Sequence, residues 1–347
     1  MMEYRNLGRT GVKVSQLCLG CMNFGGRTDE ADSIRIIDAA IDAGINFLDT
    51  ANVYGHNPQK FIEGRGRSEK IVGKALRGKR ERIFLATKVH YPMGEGPNAR
   101  GNSRYHIMEQ CHASLQRLNI DHIDLYQLHA AGADIPIDET LMALDDLVRA
   151  GKVRYIGVSG FPAWKLVEAL WVSKEKRLNR FVSEQPPYSL LDRRVERDLL
   201  PMAQTYGLAV IPWAPLGGGF LAGKYHRDTP PPSDSRFGAF WTGFWQEHRE
   251  AGAFDVLDVV LALSAEKGCT PSQLSLAWNM AQPGITSPII GPRTVAQLED
   301  NLGATAVSLT SDDIEKLDAV APPGEFTVPY YGGTEWVGWH PNKYRWY

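Results

Sequence analysis

Cysteine is scarce, with four in 347 residues: Cys18, Cys21, Cys111 and Cys269. That excludes a disulfide-built scaffold and makes a cytoplasmic location the expectation. Cys18 and Cys21 form a CxxC, but zinc or redox chemistry needs a second pair or thioredoxin-like surroundings, and neither is present. Two small, half-buried side chains are expected there. An excess of either charge is missing too: 38 Lys+Arg against 40 Asp+Glu leave a net charge of -2. Such a balance gives no field for nucleic acid or an anionic membrane. No apolar run approaches the roughly 20 residues that span a bilayer. The opening MMEYRNLGRTGVKV has no apolar h-region, so no signal peptide is expected. There is no HExxH or HxH for a metal, no Ser–His–carboxylate set around a nucleophile elbow, and no GxGxxG after the first strand.

What remains is an ordinary soluble composition, 43% hydrophobic and 22% charged. Short apolar strands alternate with helical stretches along the chain. The strands are read at Ser15–Leu19, Ile45–Leu48, Ile83–Thr87, Ile123–Leu128, Tyr155–Val158, Phe181–Glu184, Ala209–Pro212 and Ser287–Ile290. Between them, Asp32–Ala43 carries Ile34, Ile37, Ala40 and Ile41 on one face and ends at Gly44. Ser68–Leu76 opens with Ser-Glu, Ser103 caps a helix running to Leu118, and Leu141, Leu144, Leu147 and Val148 stripe the next. Eight βα units predict an α/β fold of the (β/α)8 TIM barrel type, as one domain over 1–347. A β-hairpin, RNLGRTGVKVS, with Gly11 at its turn, is expected to cap the barrel's bottom. A long Gly-, Pro- and aromatic-rich loop, Gly217–Gly252, comes after strand 7. An extended tail, Pro322–Tyr347, carries Tyr330, Tyr331, Trp336, Trp339, Tyr344, Trp346 and Tyr347. Long loops in compact domains are usually functional or disordered, and this aromatic density argues against disorder.

Barrels of this type place chemistry at the C-terminal ends of their strands. The residues there are Asp49, Lys88, His129, Ser159, Gln185, Trp213, Gly291 and Arg293, with Tyr54 in LDTANVYG just past strand 2. Singly, each has a bland explanation, a solvated lysine or a structural histidine. Together they would converge an acid, a base, an imidazole and a phenol on one mouth. A phenol of pKa about 10 is a poor proton donor near neutrality. Lys88 beside it would lower that pKa, and Asp49 would keep Lys88 charged. His129 would hydrogen-bond the same reacting oxygen. A tuned phenol without metal suits proton delivery to a carbonyl oxygen as hydride reaches the carbon.

With these residues the chain resembles the aldo-keto reductases, over nearly its whole length. The matching stretches are FLDTANVYG, RSEKIVGKAL, ATKV, DLYQLH, GVS, the Gln of SEQPPYS, PWAPLGGGFLAGKY and GPRTVAQLEDN. The longer bacterial members are most alike, and they are similar in turn to potassium-channel β subunits. The resemblance implies Tyr54 as general acid, with Asp49, Lys88 and His129 completing a tetrad. It implies NADPH/NADP+ lying across the mouth, with Asp49 beside it and Trp213 stacked on the nicotinamide. Ser159 and Gln185 would hold the carboxamide, and Gly20 and Met22 would line the ribose. Pro215, Leu216, Gly218, Gly219 and Lys224 would follow the pyrophosphate. Arg236, Gly291, Arg293, Gln297, Asp300 and Asn301 would hold the adenosine end. Glycines let backbone N–H groups approach phosphate, and arginine fits a 2′-phosphate. The alternatives are that the Gly217–Gly219 run is only a hinge and that Arg293 is only a surface charge.

Two departures stand out. Gly160 follows Ser159 where many members have Asn, so one carboxamide hydrogen bond is either lost or taken over by backbone. Gly55–Arg67, GHNPQKFIEGRGR, is long, and either shapes the pocket rim or is surface loop. Substrate contacts are expected from Tyr54, His90, His129 and Trp241, with Tyr91, Phe240, Phe244 and Trp245 near them or packing the loop onto the barrel. A small carbonyl, alcohol or sugar substrate is implied, with no nucleic acid or membrane partner. Both monomers and a homo-oligomer are open. The rival functions are a cofactor-keeping redox sensor like the channel β subunits and, less well supported, a metal-dependent hydrolase.

Overall fold

The computed structural model describes residues 2–55, 63–132, 135–239 and 241–329. An antiparallel hairpin, β1 (Tyr4–Asn6) and β2 (Lys13–Ser15), comes first. Eight parallel strands come next: β3 (Cys18–Gly20), β4 (Phe47–Asp49), β5 (Phe84–Val89), β6 (Ile123–Leu128), β7 (Val153–Ser159), β8 (Phe181–Gln185), β9 (Ala209–Val210) and β10 (Ile289–Ile290). Their order is β10-β3-β4-β5-β6-β7-β8-β9. Hydrogen bonds from Thr286 N to Val210 O and from Ile289 N to Pro212 O, both 2.8 Å, join the two ends. The (β/α)8 barrel expected from the alternating pattern is thus formed.

Between and after the strands lie α1 (Glu30–Asp42), α2 (Arg67–Ala75), α3 (Arg104–Leu118), α4 (Ile137–Arg149), α5 (Ala163–Lys176), α6 (Leu199–Tyr206), α7 (Arg236–Ala239), α8 (Thr242–Glu250), α9 (Ala253–Lys267), α10 (Pro271–Ala281), α11 (Val295–Gly303) and α12 (Ser311–Val320). Ser103 caps α3 as expected, its hydroxyl accepting from His106 N. Gly44 follows α1 with φ +93°, the left-handed turn that ends a helix.

The hairpin closes the barrel floor. Leu7 and Val14 pack on Cys18, Phe47, Leu125, Val182, Ala209 and Ile211. Gly11 lies in its turn as expected, and the left-handed residue there is Gly8 (φ +55°). A Cβ on Gly8 would lie 2.6 Å from Gly207 O, so the turn is set by contact with the end of α6.

The Ser-Glu expected to open the second helix lies within its first turn, since α2 begins at Arg67. Gly66 stands at the N-cap, and Ser68 and Glu69 are buried. Ser68 donates to Cys21 O and meets the Thr50 hydroxyl, both at 2.8 Å. Glu69 accepts from Thr87 and Arg117, both at 2.6 Å. Cap and buried brace share one sequence pattern, and only the packing of α2 behind β4 and β5 separates them. Gly73 lets α2 approach α3 closely. A Cβ there would lie 2.7 Å from the Leu118 carbonyl carbon and 2.9 Å from its Cα. Gly73→Ala should therefore destabilise the protein by about 1–3 kcal/mol, read as a lower urea midpoint. An unchanged midpoint would show that α2 can retreat freely.

The segment after β9 is more regular than a loop. Gly217–Ala222 forms tight turns, and α7 and α8 succeed it. Phe220, Tyr225, Phe237, Trp245, His248 and Phe254 interlock, with ring centroids 4.6–6.4 Å apart. Burial holds His248 down near pKa 4, an uncharged packing residue. Phe240 and the aromatics of residues 330–347 lie outside the described residues, as do residues 56–62 of the Gly55–Arg67 segment. Among the described residues no helix is long and apolar enough to cross a membrane, and no cluster could hold a metal ion.

Candidate active site

Asp49 ends β4 and Lys88 lies near the end of β5, both buried among the strand ends. Register places Gly20 opposite Asp49, and Lys88 opposite Gln127 on β6. His129 follows β6, its N–H bonded to Val89 O at 2.9 Å. Tyr54 sits on the turn after β4, held by its own N–H to Ala51 O (3.1 Å). The structure brings the four side chains together. Lys88 Nζ donates to Asp49 Oδ1, to Thr50 O (3.0 Å) and to the Tyr54 hydroxyl (3.2 Å). His129 Nε2 lies 3.3 Å from the same hydroxyl.

The other Asp49 oxygen accepts from Gln127 Nε2 at 3.0 Å and Gln185 Nε2 at 2.9 Å. Gln127 escaped the strand-end reading because it lies one step inside the barrel. The signal was there: it alternates with Leu125 on β6, a polar residue at an interior position. Gln185 reaches Asp49 rather than pointing only to the mouth. The Ser159 hydroxyl donates to Gln185 O at 2.8 Å.

Charge and burial set the protonation states. Burial pushes Lys88 down, but Asp49 and Tyr54 together overcome it and leave its pKa raised. Burial, then Lys88 and His90, holds His129 well below the usual imidazole range, so it is neutral. Its Nδ1 is buried without a hydrogen-bond partner among the described residues. A proton on Nδ1 would orphan a buried donor, which costs more than an orphaned acceptor. The Nε2–H tautomer is therefore favoured, so His129 donates to Tyr54. Lys88 lowers the phenol pKa as expected, but the expected net result, a phenol tuned toward neutrality, is corrected. Burial raises Tyr54 more than Lys88 lowers it, and Asp49 adds to the rise. Cys18 and Cys21 are buried with raised pKa values, through burial and then Asp49. Both are inert thiols packed under the site.

Around this group stand more aromatic rings. Tyr91, which sequence alone left ambiguous, has its ring 4.9 Å from His129, edge-on. His90 lies 5.2 Å from Tyr91 and is pinned by Asn102 Oδ1 at 2.9 Å. Trp241 packs instead on Phe237, Phe244 and the Arg236 guanidinium, in the aromatic cluster of the long segment.

Trp213 is half-buried, its N–H bonded to Pro186 O at 2.9 Å. Ala214 after it has φ +54° and precedes Pro215. Asn119 and Arg177, the other non-glycine residues with positive φ among those described, are both helix C-caps. Left-handed backbone costs an alanine roughly 1–3 kcal/mol and clusters at functional sites. Gly217, Gly218 and Gly219 continue the run at φ +56°, +68° and +93°. The N–H groups of Gly217 and Gly219 are bonded within these turns, to Ala214 O and Leu216 O, both at 2.9 Å.

Beyond it four cations gather. Arg27 and Lys224 are both lowered by burial and then by Arg293 and Arg236, Lys224 also by Arg27, with Asp234 offsetting part. Arg27 also donates to Asp234 O at 2.9 Å. Nothing in the local sequence marks Arg27; only the fold carries it beside Arg293. A cleft of about 860 Å³ opens beside Arg27 and Arg293, lined also by Arg67, Lys70 and Lys74 and by the carboxylates Asp29, Glu30 and Asp32; its lining includes neither Lys224, Arg236 nor the Tyr54 group. Arg27, Lys224, Arg236 and Arg293, held near one another and partly offset by Asp234, fit a phosphate-bearing ligand. Of the remaining expected contacts, Gly20 is buried against Ile290 O, 3.1 Å from where its Cβ would be, and Met22 is exposed. Leu216 is half-buried at the head of the tight turns, and Gly291 accepts at its carbonyl from Asn23 (3.0 Å). Gln297 Oε1 accepts from Arg293 N at 2.8 Å, which fixes the backbone at Arg293. Asp300 Oδ1 accepts from Thr270 and Gln273, at the cap of α10, and Asn301 is buried.

Comparison with known proteins agrees with this architecture. The family model described as "Aldo/keto reductase family" matches residues 16–322. An uncharacterized oxidoreductase of Bacillus subtilis (strain 168), YrpG, is 42% identical over 338 residues, covering 95% of this chain and 99% of the relative. A "Probable voltage-gated potassium channel subunit beta" of Oryza sativa subsp. japonica is 34% identical over 333 residues, 92% of this chain and 96% of that one. Versiconal hemiacetal acetate reductase of Aspergillus parasiticus is 31% identical over 343 residues, 91% and 96%. A match running from the first barrel strand to beyond the last leaves one assignment: the chain belongs to the aldo/keto reductase family.

Proposed function

We propose that this oxidoreductase reduces an aldehyde or ketone to the alcohol, reversibly, with NADPH as cofactor and Tyr54 as proton donor. The observation that carries this reading is the Tyr54 hydroxyl held between Lys88 and His129. The oxygen accepts from both neighbours, so its own proton is left to face a substrate at the mouth. Lys88 stays charged through Asp49 and stabilises the phenolate left behind. His129, neutral, holds its one N–H on the Tyr54 oxygen here, and would turn it to the substrate oxygen when a carbonyl enters. Gln127 and Gln185 fix Asp49, so the lysine is held rather than floating.

The chain's residues fit a nicotinamide dinucleotide. The glycine run and Lys224 would hold the pyrophosphate, Trp213 would stack on the nicotinamide ring, and Ser159 would help to orient it. Arg293, Arg236 and Arg27 would hold a 2′-phosphate. Bound there, the cofactor supplies hydride to the carbonyl carbon.

A panel of carbonyls and alcohols, followed at the NADPH absorbance band in both directions, tests the reading. Turnover of any carbonyl supports it. NADPH binding with no turnover across the panel would favour the second reading, a redox-sensing subunit, which the similarity to the rice channel subunit supports. Arg293→Ala should weaken NADPH about tenfold or more and NADH less than threefold, since a charge-assisted phosphate contact is worth about 1.5–3 kcal/mol. Tryptophan quenching by each cofactor measures both. Equal losses would argue against a 2′-phosphate contact.

A further inference from the structure

The nitrogen an imidazole presents to its reaction is usually set by a hydrogen bond on the other one. His129 Nδ1 is buried with no such partner among the described residues. Its orientation therefore has to come from backbone and packing. Its own N–H is fixed to β5 through Val89 O, at 2.9 Å. The next carbonyl, Ala130 O, accepts from Asn102 Nδ2 at 3.0 Å. Asn102 is 3% exposed and stands just before Ser103, the cap of α3. Its other amide atom, Oδ1, lies 2.9 Å from His90 Nδ1. A carbonyl oxygen only accepts, so the Asn102 nitrogen faces Ala130 and its oxygen faces His90. His90 Nδ1 carries the proton and donates it to Asn102.

The contact with His90 reaches His129 by a second route. The His90 ring meets Tyr91 edge-on at 5.2 Å, and Tyr91 meets the His129 ring edge-on at 4.9 Å. Tyr54 stands against the same imidazole, with ring centroids 5.5 Å apart. Asn102 is itself anchored. Its carbonyl accepts from Thr140 Oγ1 on α4 at 2.8 Å. Gly101 before it, at φ +92°, donates to His90 O at 2.6 Å and turns the chain back toward the end of β5. Gly132 packs on the carboxamide, since a Cβ there would lie 2.7 Å from Asn102 Nδ2. One carboxamide thus joins the segments that follow β5 and β6 to the start of α3.

We propose that Asn102 is a positioning residue for His129, holding the imidazole by its backbone through Ala130 O and by its aromatic wall through His90 and Tyr91. The consequence for catalysis rests on the role of His129 proposed above. The wall keeps water from Nδ1, so the proton stays on Nε2, the nitrogen that meets the Tyr54 hydroxyl. Without the carboxamide, Ala130 O and the His90 N–H each lose a partner. The ring can then tilt, and Nδ1 can hydrate and compete for the proton. A displacement of about 1 Å is enough to cost a reaction about 100-fold.

The test compares wild type with Asn102→Leu, close in volume but with neither donor nor acceptor, and with Asn102→Asp, which keeps the acceptor toward His90 and loses the N–H toward Ala130. With NADPH saturating, carbonyl kcat/KM should fall about 100-fold in Asn102→Leu and about tenfold in Asn102→Asp. The NADPH dissociation constant, read by tryptophan quenching, should stay within about twofold, because the lost interaction serves the carbonyl. NMR of the His129 ring nitrogens needs no substrate. Wild type should show one tautomer, protonated at Nε2, and both variants an average of the two. Ring signals matching wild type in both variants would overturn the proposal, whatever the rates. So would an equal loss of NADPH affinity, the mark of a general loosening. Where Asn102→Leu does not fold, Asn102→Asp decides by the same signals. Altered ring signals in a protein that reduces no carbonyl would keep Asn102 as the positioning residue and sink the reductase reading, so the two failures are distinguishable.

Discussion

Tyr54→Phe should lower carbonyl turnover by about 10²–10⁴-fold, the usual contribution of a positioned acid, while leaving NADPH affinity within about threefold. The ring stays, so packing against His129 is retained, and only the hydroxyl is lost. The fold should lose a little, because Lys88 and His129 are each left with an unused donor, at about 1–3 kcal/mol for a buried unsatisfied group. The direction of the pH dependence comes from the same site. Burial keeps the phenol protonated to above its ordinary value of 10.0. Reduction needs the protonated form, so wild-type kcat at saturating cofactor should stay level through neutral pH. Alcohol oxidation needs the phenolate and should rise toward alkaline pH. Stopped-flow rates in both directions measure this. Normal turnover by the phenylalanine variant would sink the proton-donor assignment.

Asp49→Asn should cost the fold about 3–5 kcal/mol, since it leaves a buried ammonium without its counter-ion. Lys88 is 0% exposed and would retain only Thr50 O and the Tyr54 oxygen. The new amide would also face two amide donors, from Gln127 and Gln185. In wild type the lysine pKa is raised above 10.5, so the pair's contribution is fully present below about 10.5 and lost only as pH rises through the folded value. In the variant burial acts unopposed by Asp49 and lowers the lysine pKa. Its folded state then holds fewer protons than its unfolded state, and the deficit should shrink as pH rises toward 10. Urea midpoints at neutral and alkaline pH read both effects. A variant with the wild-type midpoint would mean that Asp49 does not hold the lysine. Carbonyl reduction should fall with it, because an uncharged Lys88 no longer stabilises the phenolate.

Much of this site was legible before any folding was considered. Strand ends in a parallel barrel face one mouth, so Asp49, Lys88 and His129 could be read from the strand pattern alone. Gln127 was legible in principle, as a polar residue on the same face of β6 as the interior Leu125. The spacing of Phe237, Trp241, Phe244, Trp245 and His248 is helical, and it marked α7 and α8 inside what read as loop. Arg27 had no such mark. Its neighbours Arg293 and Arg236 come from distant parts of the chain, and charge gathered across a mouth leaves no local pattern. Ser68 and Glu69 are the opposite case: a Ser-Glu at the start of a helix is as good for a cap as for a buried brace, and only packing separates the two.

The sequence by itself determined the alternation of strands and helices, the apolar floor and the identity of the acid, base, imidazole and phenol, because periodicity and residue chemistry are local properties. Tertiary structure decided the rest. It set the phenol pKa, since burial and the Lys88 attraction oppose each other and only their distances say which prevails. It also decided that Gln185, and not Glu184 beside it, reaches Asp49. Strand alternation is fixed only until a bulge shifts it, and β7 and β8 meet out of step between Ile156 and Val158.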